Sequence, residues 1–253
     1  MKAQSELEYK IKQALGKFTE LSVVRIQGFN TDIDNNDYAD IWGPSVGRRT
    51  DMSVAQTLTI DGNSGQDDPG GAGINRLRIE GYDASNVYQS EELDSPGNGT
   101  VVTALTYGWF WKMTAIETGS DGWARRDIDI YPTIDGAGAI QGRIEADTKE
   151  SHNSHFKVPA GHMGVFLGIS HINLEDPIDD IDIWVETRAG DGDEWEVQKQ
   201  IWYRQGAPNI QMMGGEEMFI SLPELSEIKI SAVGRAGNID VYVDYNVLLE
   251  DCR

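Results

Sequence analysis

Ile239-Asp240-Val241-Tyr242-Val243-Asp244-Tyr245-Asn246-Val247-Leu248 is the stretch that decides the fold class. Ile239, Val241, Val243, Tyr245 and Val247 share one parity; Asp240, Tyr242, Asp244 and Asn246 share the other. Successive side chains of a strand point to opposite faces, so this rhythm predicts a strand with one apolar face and one polar face. Upstream, Arg126-Asp127-Ile128-Asp129-Ile130-Tyr131 repeats the rhythm with isoleucines inward and aspartates outward, and Leu77–Glu80 alternates as well.

Strand signals of this kind recur at short intervals. After residue 150 they fall at Phe156–Pro159, Met163–Ile172, Ile181–Thr187, Trp195–Tyr203, Met218–Leu222, Glu227–Ala232 and Ile239–Leu248. Before it they fall at Leu21–Ile26, Ala55–Ile60, Leu77–Glu80, Arg126–Tyr131 and Thr100–Thr118, the last read as two strands bent near Gly108. Asp61–Gly73 reads as a flexible exposed loop, and Glu145–Ser154 as the softest boundary. The expectation is a mainly β chain with two antiparallel β-sandwich or jelly-roll-like domains, at 21–148 and 155–253, behind a short N-terminal α-helix within 1–20. Ser5 and Glu8 have capping-box spacing, and Leu7, Ile11, Ala14, Leu15 and Phe18 make one apolar stripe. That stripe calls for a surface, on its own domain or on another subunit.

Of 253 residues, 42 are Asp or Glu and 21 are Lys or Arg, for a net charge of −21. Such a chain is repelled by phosphate backbones and anionic bilayers, so neither nucleic acid nor a membrane is an expected partner. No apolar run is long enough to span a bilayer, and the charged start MKAQSELEYK lacks a secretion-signal core. The single cysteine, Cys252, excludes an intrachain disulfide and a cysteine metal cluster.

Motifs that carry chemistry are scarce. There is no GxSxG elbow, no P-loop, and no GxGxxG opening a helix. His152, His155, His162 and His171 lack the HExxH spacing of a zinc site and read as loop, turn or strand-end residues. Asp32, Asp34 and Asp37 are the weak calcium candidates; the EF-hand pattern fails because Asp37 stands where glycine is needed and Gly43 where glutamate is needed. No carboxylate pair stands apart from the other acids as a glycosidase pair would. Neither a cofactor nor an enzymatic activity is expected. Trp109-Phe110-Trp111 must send rings to both faces of a strand, so one large ring needs a second layer, a neighbouring domain or another subunit. Leu7, Ile11, Leu15, Phe18, Ile41, Trp42, Trp109 and Trp111 are accordingly the subunit-contact candidates.

The order of short segments resembles structural proteins of tailed bacteriophages, especially marine and cyanobacterial ones. Asn30-Thr31-Asp32-Ile33-Asp34 precedes Asp40-Ile41-Trp42-Gly43; Leu77–Glu80 and Gly81-Tyr82-Asp83-Ala84 precede Ser90-Glu91-Glu92-Leu93; and Val158-Pro159-Ala160-Gly161 opens the second block. The resemblance spans residues 23–250 and implies a virion component built from β-sandwich domains and assembled in the host bacterial cytoplasm. It implies partners in the chain itself and in capsid, portal, neck or tail proteins, with no catalytic residues. A carbohydrate-binding β-sandwich module for host attachment is the alternative reading of the aromatics.

Overall fold

The computed structural model describes residues 21–34, 38–44, 48–174, 180–190, 192–204, 219–235 and 239–252. The first strands are β1 (Leu21–Ile33), β2 (Tyr38–Asp40), β3 (Leu58–Gly62), β4 (Ile74–Tyr82), β5 (Tyr88–Asp94) and β6 (Thr100–Val102). Next come β7 (Trp109–Thr118), β8 (Ile128–Pro132), β9 (Gly142–Ile144), β10 (His155–Lys157) and β11 (His162–Leu174). The last are β12 (Asp180–Arg188), β13 (Glu196–Arg204), β14 (Ile220–Leu222), β15 (Glu227–Gly234) and β16 (Ile239–Asp251). The protein is mainly β, as the alternation predicts. Among the described residues the helical structure is one 3-10 turn at Ala137–Ala139, and no helix is long and apolar enough to cross a membrane. The expected N-terminal helix lies outside the described residues.

The strands form four antiparallel sheets, in the orders β1-β16-β11-β14, β10-β15-β12-β13, β6-β3-β8-β9 and β5-β4-β7. β10 and β2 share one edge of β15, pairing its residues 227–229 and 231–233 in turn. The first two sheets contribute to one apolar cluster that includes Ile26, Phe156, Phe166, Ile183, Ile230, Val243 and Tyr245. The other two contribute to a second that includes Leu58, Ile60, Ile79, Phe110, Met113 and Ile130.

These cores do not follow one another along the chain. β1, expected within the 21–148 block, runs antiparallel to β16 from Leu21↔Glu250 to Ile33↔Ile239. Its Ile26 and Ile33, with Ala39 and Ile41, belong to the first cluster, whereas the second takes its buried residues from 58–144. The physical reason is that β16 has two edges to fill, and β1 and β11 take one each. Gly28 makes the crossing tight: a Cβ there would meet Ile41 O at 2.5 Å and Ser154 Cβ at 2.6 Å.

Two stretches read as loose are packed. In the expected boundary 145–154, Ser151, Asn153 and Ser154 are buried, Asn153 N donates to Gln27 O at 2.8 Å, and Ser154 Oγ donates to Ile230 O at 2.7 Å. In the expected flexible loop 61–73, Asp67 is fully buried and accepts from the amides of Ile74, Arg125 and Arg126. A carboxylate that satisfies three backbone N–H groups holds a loop down without apolar content.

Candidate functional site

β15 carries the centre of the site. Ile228, Ile230 and Ala232 point into the first apolar cluster, so alternation sends Glu227, Lys229 and Ser231 to the opposite face. That face is covered as well: the three residues are 0, 1 and 0% exposed. Neighbouring strands bring Glu186 and Arg188 from β12, His155 and Lys157 from β10, and Tyr38 and Asp40 from β2 onto the same layer.

Arg188 donates from Nη1 to Asp51 Oδ2 at 2.7 Å and from Nη2 to Glu227 Oε2 at 2.8 Å. His155 Nε2 donates to Glu227 Oε2 at 2.6 Å, and Lys157 Nζ lies 3.8 Å from Oε1. Lys229 Nζ donates to Asp40 Oδ1 at 2.7 Å and stands 3.6 Å from Glu186 Oε2, which also accepts from Tyr38 Oη and Ser231 Oγ. The Trp195 ring caps the two cations, with Arg188 Cζ at 4.6 Å and Lys229 Nζ at 4.5 Å from its centroid. With Arg49 included, four cations (Arg49, Lys157, Arg188, Lys229) meet four carboxylates (Asp40, Asp51, Glu186, Glu227), so the layer is neutral in a strongly acidic protein. Ions removed from water persist when paired and hydrogen-bonded in this way.

Burial sets the protonation states. It pushes the His155 pKa well below the ordinary imidazole value, helped by the charges of Arg49, Lys229 and Arg188; the ring is neutral, with its proton on Nε2 facing Glu227. Burial also lowers Arg49 to about 10, against the attraction of Asp51 and Glu227. For Asp51 burial acts upward, but the hydrogen bond and charge of Arg188 outweigh it and the net shift is down.

Beside the layer opens a cleft of about 430 Å³, between the segment around Asp51, the turn at Asp83–Asn86, the start of β7 at Trp109, and Gly192. Arg49 and Asp51 belong to both the cleft and the layer, and Trp109 lines the cleft and meets the His155 ring edge-on, with centroids 5.5 Å apart. Arg49 reaches across to the second core, donating from Nη2 to Phe110 O at 2.9 Å and from Nε to Gln141 Oε1 at 3.0 Å. Its guanidinium lies 4.9 Å from the Trp109 ring centroid.

The sequence-predicted residues fall elsewhere or play other parts. Ile41, Trp42 and Trp109, named as subunit-contact candidates, are 0, 2 and 4% exposed within the chain, which packs them internally. Trp111 sits at an irregularity in the β4–β7 pairing, between Glu80↔Lys112 and Gly81↔Phe110. It packs on the first core, edge-on to Phe156 at 6.0 Å, while Phe110 fills the second. The ring that had to leave its local core thus finds its second layer within the same chain. Leu7, Ile11, Leu15 and Phe18 lie outside the described residues, as does Asp37. Asp32 and Asp34 are exposed, and among the described residues no three histidine, cysteine or acidic side chains gather as a metal centre. His155, read as a loop residue, is a buried strand residue. Sequence reading missed Asp40, Glu186, Arg188, Glu227 and Lys229. The available signal was Glu-Ile-Lys-Ile-Ser, a polar rank alternating in sign, opposite an equally alternating Glu186 and Arg188.

No family model and no curated protein matches the chain. Among solved structures, a chain of the structure of infectious bursal disease virus, Gx strain, is similar over 91% of this chain and 72% of its own length, at 8% identity and a TM-score of 0.20. A likeness at that level carries no argument about fold or function.

Proposed function

We propose that the protein is a non-enzymatic structural component of a bacteriophage virion, an external capsid-decoration or neck or tail protein, acting through contacts with its own copies and with other virion proteins. In this reading the paired sheets of each core are β-sandwiches of the jelly-roll kind, and the acidic surface keeps abundant β subunits from associating at random. The supporting observation is β13. It ends its sheet, and its rank facing away from the first core leaves Val197 56% and Trp202 48% exposed. An edge strand with an exposed apolar rank is the kind of surface that an assembly covers.

Light-scattering mass measurement and electron microscopy of the purified protein test this reading. The expected result is a defined ring or trimer that Trp202→Lys dissociates without lowering the unfolding midpoint. A strictly monomeric protein that is absent from purified virions overturns it.

A further inference from the structure

The sheet β1-β16-β11-β14 buries one face in the first core and keeps an apolar row on the other. Val24, Val247 and Phe166 pack in that core, so alternation turns their neighbours Val23, Leu248 and Val165 outward. The pairing sets these three side by side, Val23 against Leu248 and Leu248 against Val165. Met163 extends the row on the same face of β11. Val23 and Met163 are 38 and 44% exposed, and Val165 and Leu248 are half-buried. A single exposed valine is ordinary on a protein surface, but a contiguous apolar row across three strands marks a contact face.

The chain carries a matching stripe next to this row. β1 begins at Leu21, two residues before Val23, and residues 1–20, outside the described ones, precede it. Leu7, Ile11, Leu15 and Phe18 recur there at helical spacing, and a helix of that length is marginal without a surface. The dimensions agree: a helix rises about 16 Å from Leu7 to Phe18, and three neighbouring strands occupy about 15 Å. The charges agree as well. Residues 10–18 hold Lys10, Lys12 and Lys17 and no acid, in a chain of net charge −21, and the exposed Glu250 pairs with Met163 at the end of the row. A second copy offers the same stripe, but a tether of a few residues holds this one at about millimolar effective concentration. The apolar rank of β13 belongs to the other sheet and faces away from the first core. We propose that residues 7–18 dock as an amphipathic helix on the outer face of β1, β16 and β11, with Leu7, Ile11, Leu15 and Phe18 covering Val23, Leu248, Val165 and Met163 of the same chain. This stands independently of how the protein assembles.

Amide hydrogen exchange of the full chain, read by peptide mass spectrometry, is the test. Peptides within 7–18 are expected to exchange at least about tenfold more slowly than in a synthetic peptide of residues 1–20, because the row supplies what the isolated helix lacks. The protection is expected to be equal at protein concentrations differing about a hundredfold, as a tethered contact requires. Val23→Lys and Met163→Lys each put a cation into the row at its most exposed positions, on two different strands. Both are expected to remove the protection of 7–18 while peptides of β15 keep theirs. Unprotected exchange of 7–18 in the parent, or protection that survives either variant with β15 intact, overturns the proposal. So does protection that vanishes on dilution, the mark of a second copy. A rise in exchange confined to residues 205–218 in the variants also overturns it, since that segment would then be the occupant.

Discussion

β8 and β15 have the same two-residue rhythm on paper and opposite surroundings in the fold. In β8, Ile128 and Ile130 are buried while Asp129 is partly exposed and accepts from Arg143 Nε at 2.6 Å. In β15, Ile228 and Ile230 are buried on one face, and Glu227 and Lys229 are buried on the other. Alternation identifies which face of a strand is polar; it does not say whether that face meets water. The energetic difference follows from solvent. The Asp129–Arg143 pair keeps part of its hydration, whereas Glu227 and Lys229 have given up hydration that only their partners restore.

The sharpest way to break the comparison is to truncate one charged partner of an ion pair in each strand. Lys229→Ala leaves Asp40 and Glu186 buried without it and is expected to cost about 3–5 kcal/mol; Asp129→Ala is expected to cost less than about 1 kcal/mol. Urea unfolding of the two variants decides the matter, and equal losses would mean that the β15 layer is wet.

A second probe uses protons. The native His155 pKa lies well below 6.5, so as pH falls the unfolded chain takes up the proton first. The stability this group contributes is complete above 6.5 and is lost as pH falls below it. The unfolding midpoint should therefore drop more steeply between neutral and mildly acidic pH in the parent than in His155→Gln. Parallel curves would show that the layer admits protons freely.

Glu145 gives a smaller effect of opposite sign, because it sits between the wet and dry extremes. Burial first, and the charge of Asp127 second, raise its pKa from 4.5 to about 7. The native state holds a proton that the unfolded chain releases, so the contribution is complete below 4.5 and is lost as pH rises through about 7. Glu145→Gln keeps the neutral form at every pH. It is expected to stabilise by about 1–2 kcal/mol above pH 7, after allowance for solvent screening of a partly exposed group, and to change little at acid pH. Thermal unfolding across that window checks the sign.

Much of the secondary structure was legible because it rests on local rules. Apart from Asp244, which is buried, the period-two residues of β16 and β8 fall on buried and less buried faces as their pattern requires, and the break at Gly108 separates β6 from β7. What could not be read were properties set by distant partners. Nothing near Val23 or Ile26 says that β1 pairs with residues more than two hundred positions away. Nothing near Asp67 says that the amides of Arg125 and Arg126 will come to it. Glu186 and Arg188 resemble any solvated rank until β2, β10 and the segment at Asp51 close over them. Sites made from long-range burial of charge leave their trace in sign patterns across strands, which a single strand does not display.

The β1–β16 pairing also orders events in time. A ribosome delivers β1 before any other described strand and its partner β16 after all the rest. Throughout synthesis the first strand must wait with an open edge, while the residues from β3 to β9 emerge as a set able to close its own core. The first core then closes by one long-range event, when the late strand slots between β1 and β11. A product that lacks β16 therefore leaves β1 without its partner strand. Arrival of β16 is the event that hides it.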